Sequence, residues 1–319
     1  MKEARPSFEW KVTSKCNYKC PYCCQGIRNI NKTSERHCSD KVADAVLKLA
    51  EGLPGTWLIK LIGGEPLIYP RFFEVCEKLI SSGHEICTTT NFSLPYNKFQ
   101  ELIDMCGEKL IFLTASLHPS QLKSVDEFID KAVAFNSNKN ASTSFTVTSV
   151  LVEEDFKNLR AIEQRLTERG VTFEYQVLKK GGKYFKYKAE IEEQVKEKLC
   201  SSTEMIRDKN FFGTLCHTGE LFFIIGINGD VLRCYNDQIC YYLGNISRGT
   251  FKRFTKAMPC MAKRCTCTTP ANRNMICYEQ KADKGNIVKT YAYYLPGNLS
   301  YRSRRFLTKV CNKINERIR

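Results

Sequence analysis

The stretch Cys16-Asn17-Tyr18-Lys19-Cys20-Pro21-Tyr22-Cys23 follows a short apolar run, Phe8 to Thr13, and sets three thiols within eight residues of one loop. Three thiolates at this spacing can hold three irons of a [4Fe–4S] cube and leave the fourth iron without a protein ligand. An iron left open in this way is a place for chemistry. Zinc is the first alternative, but it needs four ligands, commonly as two Cys-x2-Cys pairs, and Cys24 is poorly placed beside Cys23 to be the fourth. Chance is the second, because the chain holds seventeen Cys in 319 residues.

Outward from this loop, apolar runs rich in β-branched residues alternate with segments of helical period, which argues for a parallel sheet with covering helices. Strands are expected at Phe8 to Thr13, Trp57 to Ile62, Glu85 to Thr90, Leu110 to His118, Ser144 to Val152 and Val171 to Leu178. Ser39 reads as the N-cap of a helix to about Leu53, a second helix opens at Tyr69-Pro70 and runs to Ser82, and others fall at about 97–107, 122–136 and 154–169. Six such units in some 180 residues suit an α/β fold, a partial (β/α)6 TIM-like barrel, with its chemistry at the C-terminal strand ends.

At the end of the second strand stands Gly63-Gly64-Glu65-Pro66, where two glycines let the backbone approach a ligand closely; an ordinary βα turn is the plain alternative. Cys-x3-Cys-x2-Cys with an aromatic residue before the third Cys, followed one unit later by this Gly-Gly-Glu, resembles the radical S-adenosylmethionine (SAM) enzymes. The resemblance covers roughly residues 8–180. It implies a [4Fe–4S] cluster on Cys16, Cys20 and Cys23, with SAM chelated to the free iron and cleaved to a 5′-deoxyadenosyl radical. It also implies cofactor contacts at Tyr22, Gly63, Gly64, Glu65, Pro66, Asn91 and Ser116, although Phe92 stands where the family usually has Gly after its Thr-Asn pair. Thr114, Ser116 and His118 share one face of the fourth strand. His118 is a candidate proton acceptor or a hydrogen-bonded surface His, Ser149 a candidate contact to the methionyl carboxylate, and Glu174 and Gln176 candidates for the interior face of the sixth strand. The last three depend on register, which a slip of one residue reverses.

A second cysteine field begins at Cys216. Leu221–Ile225 and Val231–Cys234 flank Asn228-Gly229 as a hairpin, which would bring Cys216 and Cys234 together at its base. Leu243-Gly244-Asn245-Ile246, a short helix from about Thr250 to Met258, and Cys260, Cys265 and Cys267 follow. This order resembles a SPASM/twitch-like domain (β-hairpin plus helix), which implies one auxiliary [4Fe–4S] cluster on Cys216, Cys234 and two of Cys260, Cys265 and Cys267. A structural zinc knot on the same thiols is the alternative. Cys38, Cys76, Cys87, Cys106, Cys200, Cys240 and Cys311 show no ligand spacing and read as small core residues. The domain reading is therefore 1–182 core barrel, 183–212 helical connector, 213–280 auxiliary domain and 281–319 basic extension.

The balance of 49 Lys and Arg against 34 Asp and Glu, net +15, favours anionic partners. In residues 301–319 seven basic side chains stand against Glu316, and from Ser303 to Arg319 Phe306, Leu307, Val310, Cys311, Ile314 and Ile318 fall at helical spacing between them, so a peripheral membrane contact is one reading and a solvated helix face the other. No apolar run is long enough to span a membrane and no signal-type segment opens the chain, so a cytoplasmic protein is expected, one whose thiols are not a disulfide framework. The expected reaction is oxidation of a small polyhydroxylated substrate of the sugar or aminocyclitol type, phosphorylated or nucleotide-linked, with flavodoxin or ferredoxin as electron donor and His118 or Glu174 as proton acceptor. Alternatives are ribosomal-peptide maturation, tRNA modification and a zinc-binding nucleic-acid module.

Overall fold

The computed structural model describes residues 3–23, 36–180, 183–200, 209–235, 242–260, 265 and 269–282. Six parallel strands form in chain order: β1 (Ser7–Thr13), β2 (Leu58–Gly63), β3 (Glu85–Thr90), β4 (Leu110–Leu117), β5 (Ser144–Leu151) and β6 (Phe173–Val177). Between them run α1 (Asp40–Glu51), α2 (Phe72–Ser81), α3 (Tyr96–Cys106), α4 (Val125–Asn138) and α5 (Phe156–Glu168). The reason α1 starts where it does is local: the Ser39 hydroxyl accepts from Val42 N–H, and Asp40 sits in the first turn. Its Val42, Ala43, Val46, Leu47 and Ala50 are buried against the sheet.

Each strand turns one face to these helices and the other to the barrel interior. Phe8, Trp10 and Val12 of β1, Leu113, Ala115 and Leu117 of β4, and Phe173, Tyr175 and Val177 of β6 belong to the core under the helices. Their neighbours in sequence, Glu9 and Lys11, Thr114 and Ser116, Glu174 and Gln176, therefore face inward.

The connector holds a two-stranded ladder, β7 (Lys179–Lys180) with β8 (Lys183–Tyr184), and a short helix α6 (Ala189–Val195). Of the connector expected to be helical over 183–212, α6 passes into a 3-10 turn at Lys196–Lys198, and Leu199 bridges to Tyr175 beyond it.

Next come β9 (Thr214–Cys216), β10 (Phe222–Ile225), β11 (Asp230–Leu232), β12 (Tyr242–Asn245), β13 (Met258–Pro259) and β14 (Ile276–Lys281). The hairpin β10–β11 forms as the Asn-Gly turn requires, with Gly229 at φ 80°. It is also part of the barrel wall. Strand β10 pairs in parallel with β1, Ser7 opposite Phe222 through Trp10 opposite Ile225, giving one nine-stranded sheet ordered β12-β11-β10-β1-β2-β3-β4-β5-β6.

Residues 250–257 are not the expected helix. Phe254 packs there against Gly219, where a Cβ would come within 2.5 Å of its ring, and extended chain leads into β13. Strands β13, β9 and β14 make a separate small sheet. Among the described residues no helix is long and apolar enough to cross a membrane. The basic stretch 301–319, Cys24, Cys240, Cys267 and Cys311 lie outside the described residues.

Candidate functional site

The loop after β1 is pinned at its base. Ser14 N–H donates to Arg36 O at 2.8 Å, Arg36 N–H returns to Ser14 Oγ at 2.9 Å, and Thr13 bridges to His37. Within the loop Cys20 is buried while Cys16 and Cys23 are half-buried. Tyr18 N–H points at Cys16 Sγ at 3.4 Å, and Cys23 N–H closes a turn onto Cys20 O at 3.3 Å. Burial raises the pKa of Cys16; burial first, and then the charges of Cys16 and Cys23, push Cys20 up to about 12. A polycationic iron–sulfur centre would reverse both effects, so the donor set fits such a group. Among the described residues no three His, Cys, Asp or Glu side chains are gathered around a single-ion position.

Gly63 and Gly64 approach this loop itself. A Cβ on Gly63 would stand 2.1 Å from Thr13 O, and one on Gly64 would stand 2.0 Å from Lys15 O and 3.0 Å from Cys16 Cβ. Gly64 N–H donates to Thr13 O and Glu65 N–H to Lys15 O. The glycine pair thus holds the second strand end flush against the cysteine loop.

Glu65 is fully buried and accepts three hydrogen bonds: from Leu67 N–H at 3.1 Å and Thr90 Oγ1 at 2.8 Å on Oε1, and from Asn91 N–H at 2.6 Å on Oε2. Burial outweighs these donors and lifts its pKa to about 7. Pro66 is buried at the start of the short 3-10 turn that follows. Asn91 sends its amide to Asn17 Oδ1 at 2.8 Å, 3.8 Å from Cys16 Sγ, and Asn17 donates to Ser93 Oγ at 2.8 Å. Phe92 takes φ 57°, the left-handed angle a glycine adopts freely. Its ring is held among Phe99, Phe128, Phe135 and Phe145, and this packing offsets the strain.

Facing inward below this rim, Ser116, Thr148 and Glu174 stand opposite one another across β4, β5 and β6. Thr148 is the residue sequence reasoning missed. Ser149, expected here, shares the helix-facing side with Phe145, Val147 and Leu151, and its hydroxyl donates to Leu117 O at 3.0 Å. The apolar alternation of 145, 147 and 151 was the signal for that register. Glu174 and Gln176 do face inward, and burial raises the Glu174 pKa while a hydrogen bond with Cys200 opposes the rise.

At the rim the Tyr22 hydroxyl and His118 Nδ1 share a hydrogen bond of 3.1 Å, and Tyr18 meets the same ring edge-on. Burial lowers the His118 pKa to about 4, so the ring is neutral near pH 7.

In the second cysteine field Cys216 on β9 lies opposite Ile276, beside Cys277, whose pKa is raised by burial and then by the Cys216 charge. Cys260 and Cys265 pack on the same apolar cluster as Cys216. Arg233, fully buried, donates to the carbonyls of Cys216, Thr218, Met258 and Pro259 and so ties the field together. Cys234 follows it, half-buried. Cys38, Cys76, Cys87, Cys106 and Cys200 are buried, as small core residues should be, but Cys87 faces the barrel interior.

Comparison with known proteins adds what geometry leaves open. Residues 10–119 match the radical SAM superfamily. A probable GTP 3′,8-cyclase of Methanococcus maripaludis is 32% identical over 122 residues, which are 37% of this chain and 39% of that protein. A tungsten-containing aldehyde ferredoxin oxidoreductase cofactor-modifying protein of Pyrococcus furiosus is 24% identical over 176 residues, 50% of this chain and 48% of its own. The chain thus spans about two fifths to one half of the curated relatives it matches.

Among solved structures, Streptococcus suis SuiB bound to precursor peptide SuiA superimposes with a TM-score of 0.54 at 16% identity, covering 78% of this chain and 65% of that one. Native anSMEcpe with bound AdoMet gives 0.51 at 16% identity, with 76% and 79% covered. At such identities the likeness shows the fold, a parallel α/β sheet of the partial radical SAM barrel kind. The superfamily domain implies a [4Fe–4S] cluster with SAM. Residues 10–119 are thus similar to the radical SAM superfamily, whose members are enzymes.

Proposed function

We propose that the chain uses SAM and a [4Fe–4S] cluster on Cys16, Cys20 and Cys23 to oxidise a small, polyhydroxylated, anionic substrate at a carbinol carbon. When bound, that cluster with SAM supplies a primary carbon radical that removes a hydrogen atom. Tyr22, Gly63, Gly64, Glu65, Pro66, Asn91 and Ser116 line its place at the strand ends.

The observation that carries the reading is the polar row Ser116–Thr148–Glu174 facing the interior across β4, β5 and β6. Hydroxyls and a carboxylate on rigid strands suit a substrate made of hydroxyls. A relative named for GTP, itself a phosphorylated and hydroxylated molecule, supports the same class.

Oxidation needs three departures: the carbon-bound hydrogen atom to the SAM-derived radical, the hydroxyl proton to a base, and one electron to an acceptor. Glu174 is the base, since burial makes its carboxylate more basic than in water. His118, with its pKa near 4 and Nδ1 engaged by Tyr22, positions the rim instead. Cys216, Cys234, Cys260 and Cys265 would hold an auxiliary cluster, with Cys267 outside the described residues; such a cluster would supply a one-electron acceptor. A reduced flavodoxin or ferredoxin would load the first cluster.

The test is iron and sulfide per chain after anaerobic reconstitution, in wild type and in Cys16→Ala/Cys20→Ala/Cys23→Ala, with 5′-deoxyadenosine assayed on sugar phosphates and nucleotide sugars. About eight irons falling to about four supports two cubes. About four falling to none removes the auxiliary cluster, and zinc without iron overturns the reading.

A further inference from the structure

The floor of the barrel carries charge that the rim chemistry does not use. Glu9, Lys60, Cys87 and Phe112 stand side by side across β1 to β4 on the interior face. Arg273 reaches them from the turn before β14, its own carbonyl fixed by Arg5 N–H at 3.0 Å. Its guanidinium lies 5.0 Å from the Phe112 ring centroid, and Nη2 is 3.8 Å from Cys87 Sγ. Its Nε is buried without a hydrogen-bond partner.

Among the described residues no carboxylate reaches this guanidinium at ion-pair distance, although Glu9 acts on it electrostatically from the same interior row. Glu85 is taken by Arg5, and Glu9 accepts the Tyr235 hydroxyl at 2.5 Å. Arg273, Lys60 and Arg5 act electrostatically on the Cys87 thiol against the single carboxylate of Glu9, so cations are in excess in this space. A largely buried guanidinium set on a ring face and a thiol is costly to keep unless an anion completes it.

We propose that Arg273, with Lys60, forms an anion-binding floor that takes a phosphate group of the substrate. Phe112 lies four residues below Ser116 on the same strand, about 13 Å at the usual rise of a strand. The substrate is then an elongated phosphate ester, such as a nucleotide-linked polyol, with its phosphate roughly that far from the reacting carbon. The guanidinium offers a planar fork to phosphate oxygens, and Lys60 adds a point charge. The substrate assignment rests on the function proposed above, whereas the anion site stands on the floor residues alone.

Inorganic phosphate and pyrophosphate, titrated against chloride at constant ionic strength, test it on the reconstituted full chain by calorimetry and thermal shift. The expected result is saturable binding by wild type, weakened at least tenfold in Arg273→Gln and at least threefold in Lys60→Gln. Absence of saturable binding by wild type, or equal affinity in Arg273→Gln and wild type, overturns the floor. Formation of 5′-deoxyadenosine in the same preparation separates the two ideas: present without phosphate binding, it sinks the floor alone. Phosphate binding without any 5′-deoxyadenosine leaves the floor standing and sinks the radical reading.

Discussion

At the rim of the barrel Glu65, Thr90, Asn91, Asn17 and Ser93 satisfy one another within a closed net, while at the floor Arg273 meets a ring and a thiol and, among the described residues, no carboxylate at ion-pair distance. The rim is organised by the chain alone and is expected to hold its shape whether or not a ligand is bound. The floor leaves a cation to be answered from outside. Changes at the rim should therefore cost stability, and changes at the floor should cost affinity for an anion.

Gly64→Ala is the hardest blow to the rim. Its Cβ would overlap the Lys15 carbonyl, which can yield only if the cysteine loop moves, and a loss of about 3 kcal/mol or more is expected in denaturant unfolding, with reduced iron uptake. Next comes Glu65→Gln, which turns an amide against Asn91 N–H. A loss of about 1–3 kcal/mol is expected, and a melting curve matching wild type would break the idea of a closed rim net.

The pH dependence of His118 follows. Its folded pKa, about 4, lies below the unfolded value, so between pH 6.5 and 4 the unfolded chain binds more protons and stability is lost as pH falls. His118→Gln should remove that loss, which is about 3 kcal/mol at most over the window, as measured by urea unfolding at each pH. Ser149→Ala should cost only about 1 kcal/mol through the lost bond to Leu117 and leave 5′-deoxyadenosine formation intact, whereas Thr148→Val should raise the substrate KM. The least effect is expected from Arg273→Gln in chloride, where the melting temperature should stay or rise slightly; a marked fall would make Arg273 a structural residue like those of the rim.

Much of the rim was legible in the sequence because its parts are near-neighbour patterns. The Ser39 cap, the Gly63-Gly64-Glu65 turn and the inward alternation of Thr114 and Ser116 each depend on a few residues in a row. Register on β5 was harder. Ser149 attracts attention as a polar residue, yet Phe145, Val147 and Leu151 commit its side of the strand to the helices. The expected helix over 250–258 failed because Phe254 is claimed by Gly219 and Arg233, contacts that helical period does not encode.

The sequence by itself determined the six strand–helix units and the cysteine loop, since hydrophobic period and capping act over one or two turns of chain. Only the tertiary structure decided that β10 closes onto β1 across more than two hundred residues, and that Arg273 meets Cys87 across 186. Such pairings are selected by burial of whole faces in the finished sheet, and no local pattern carries them.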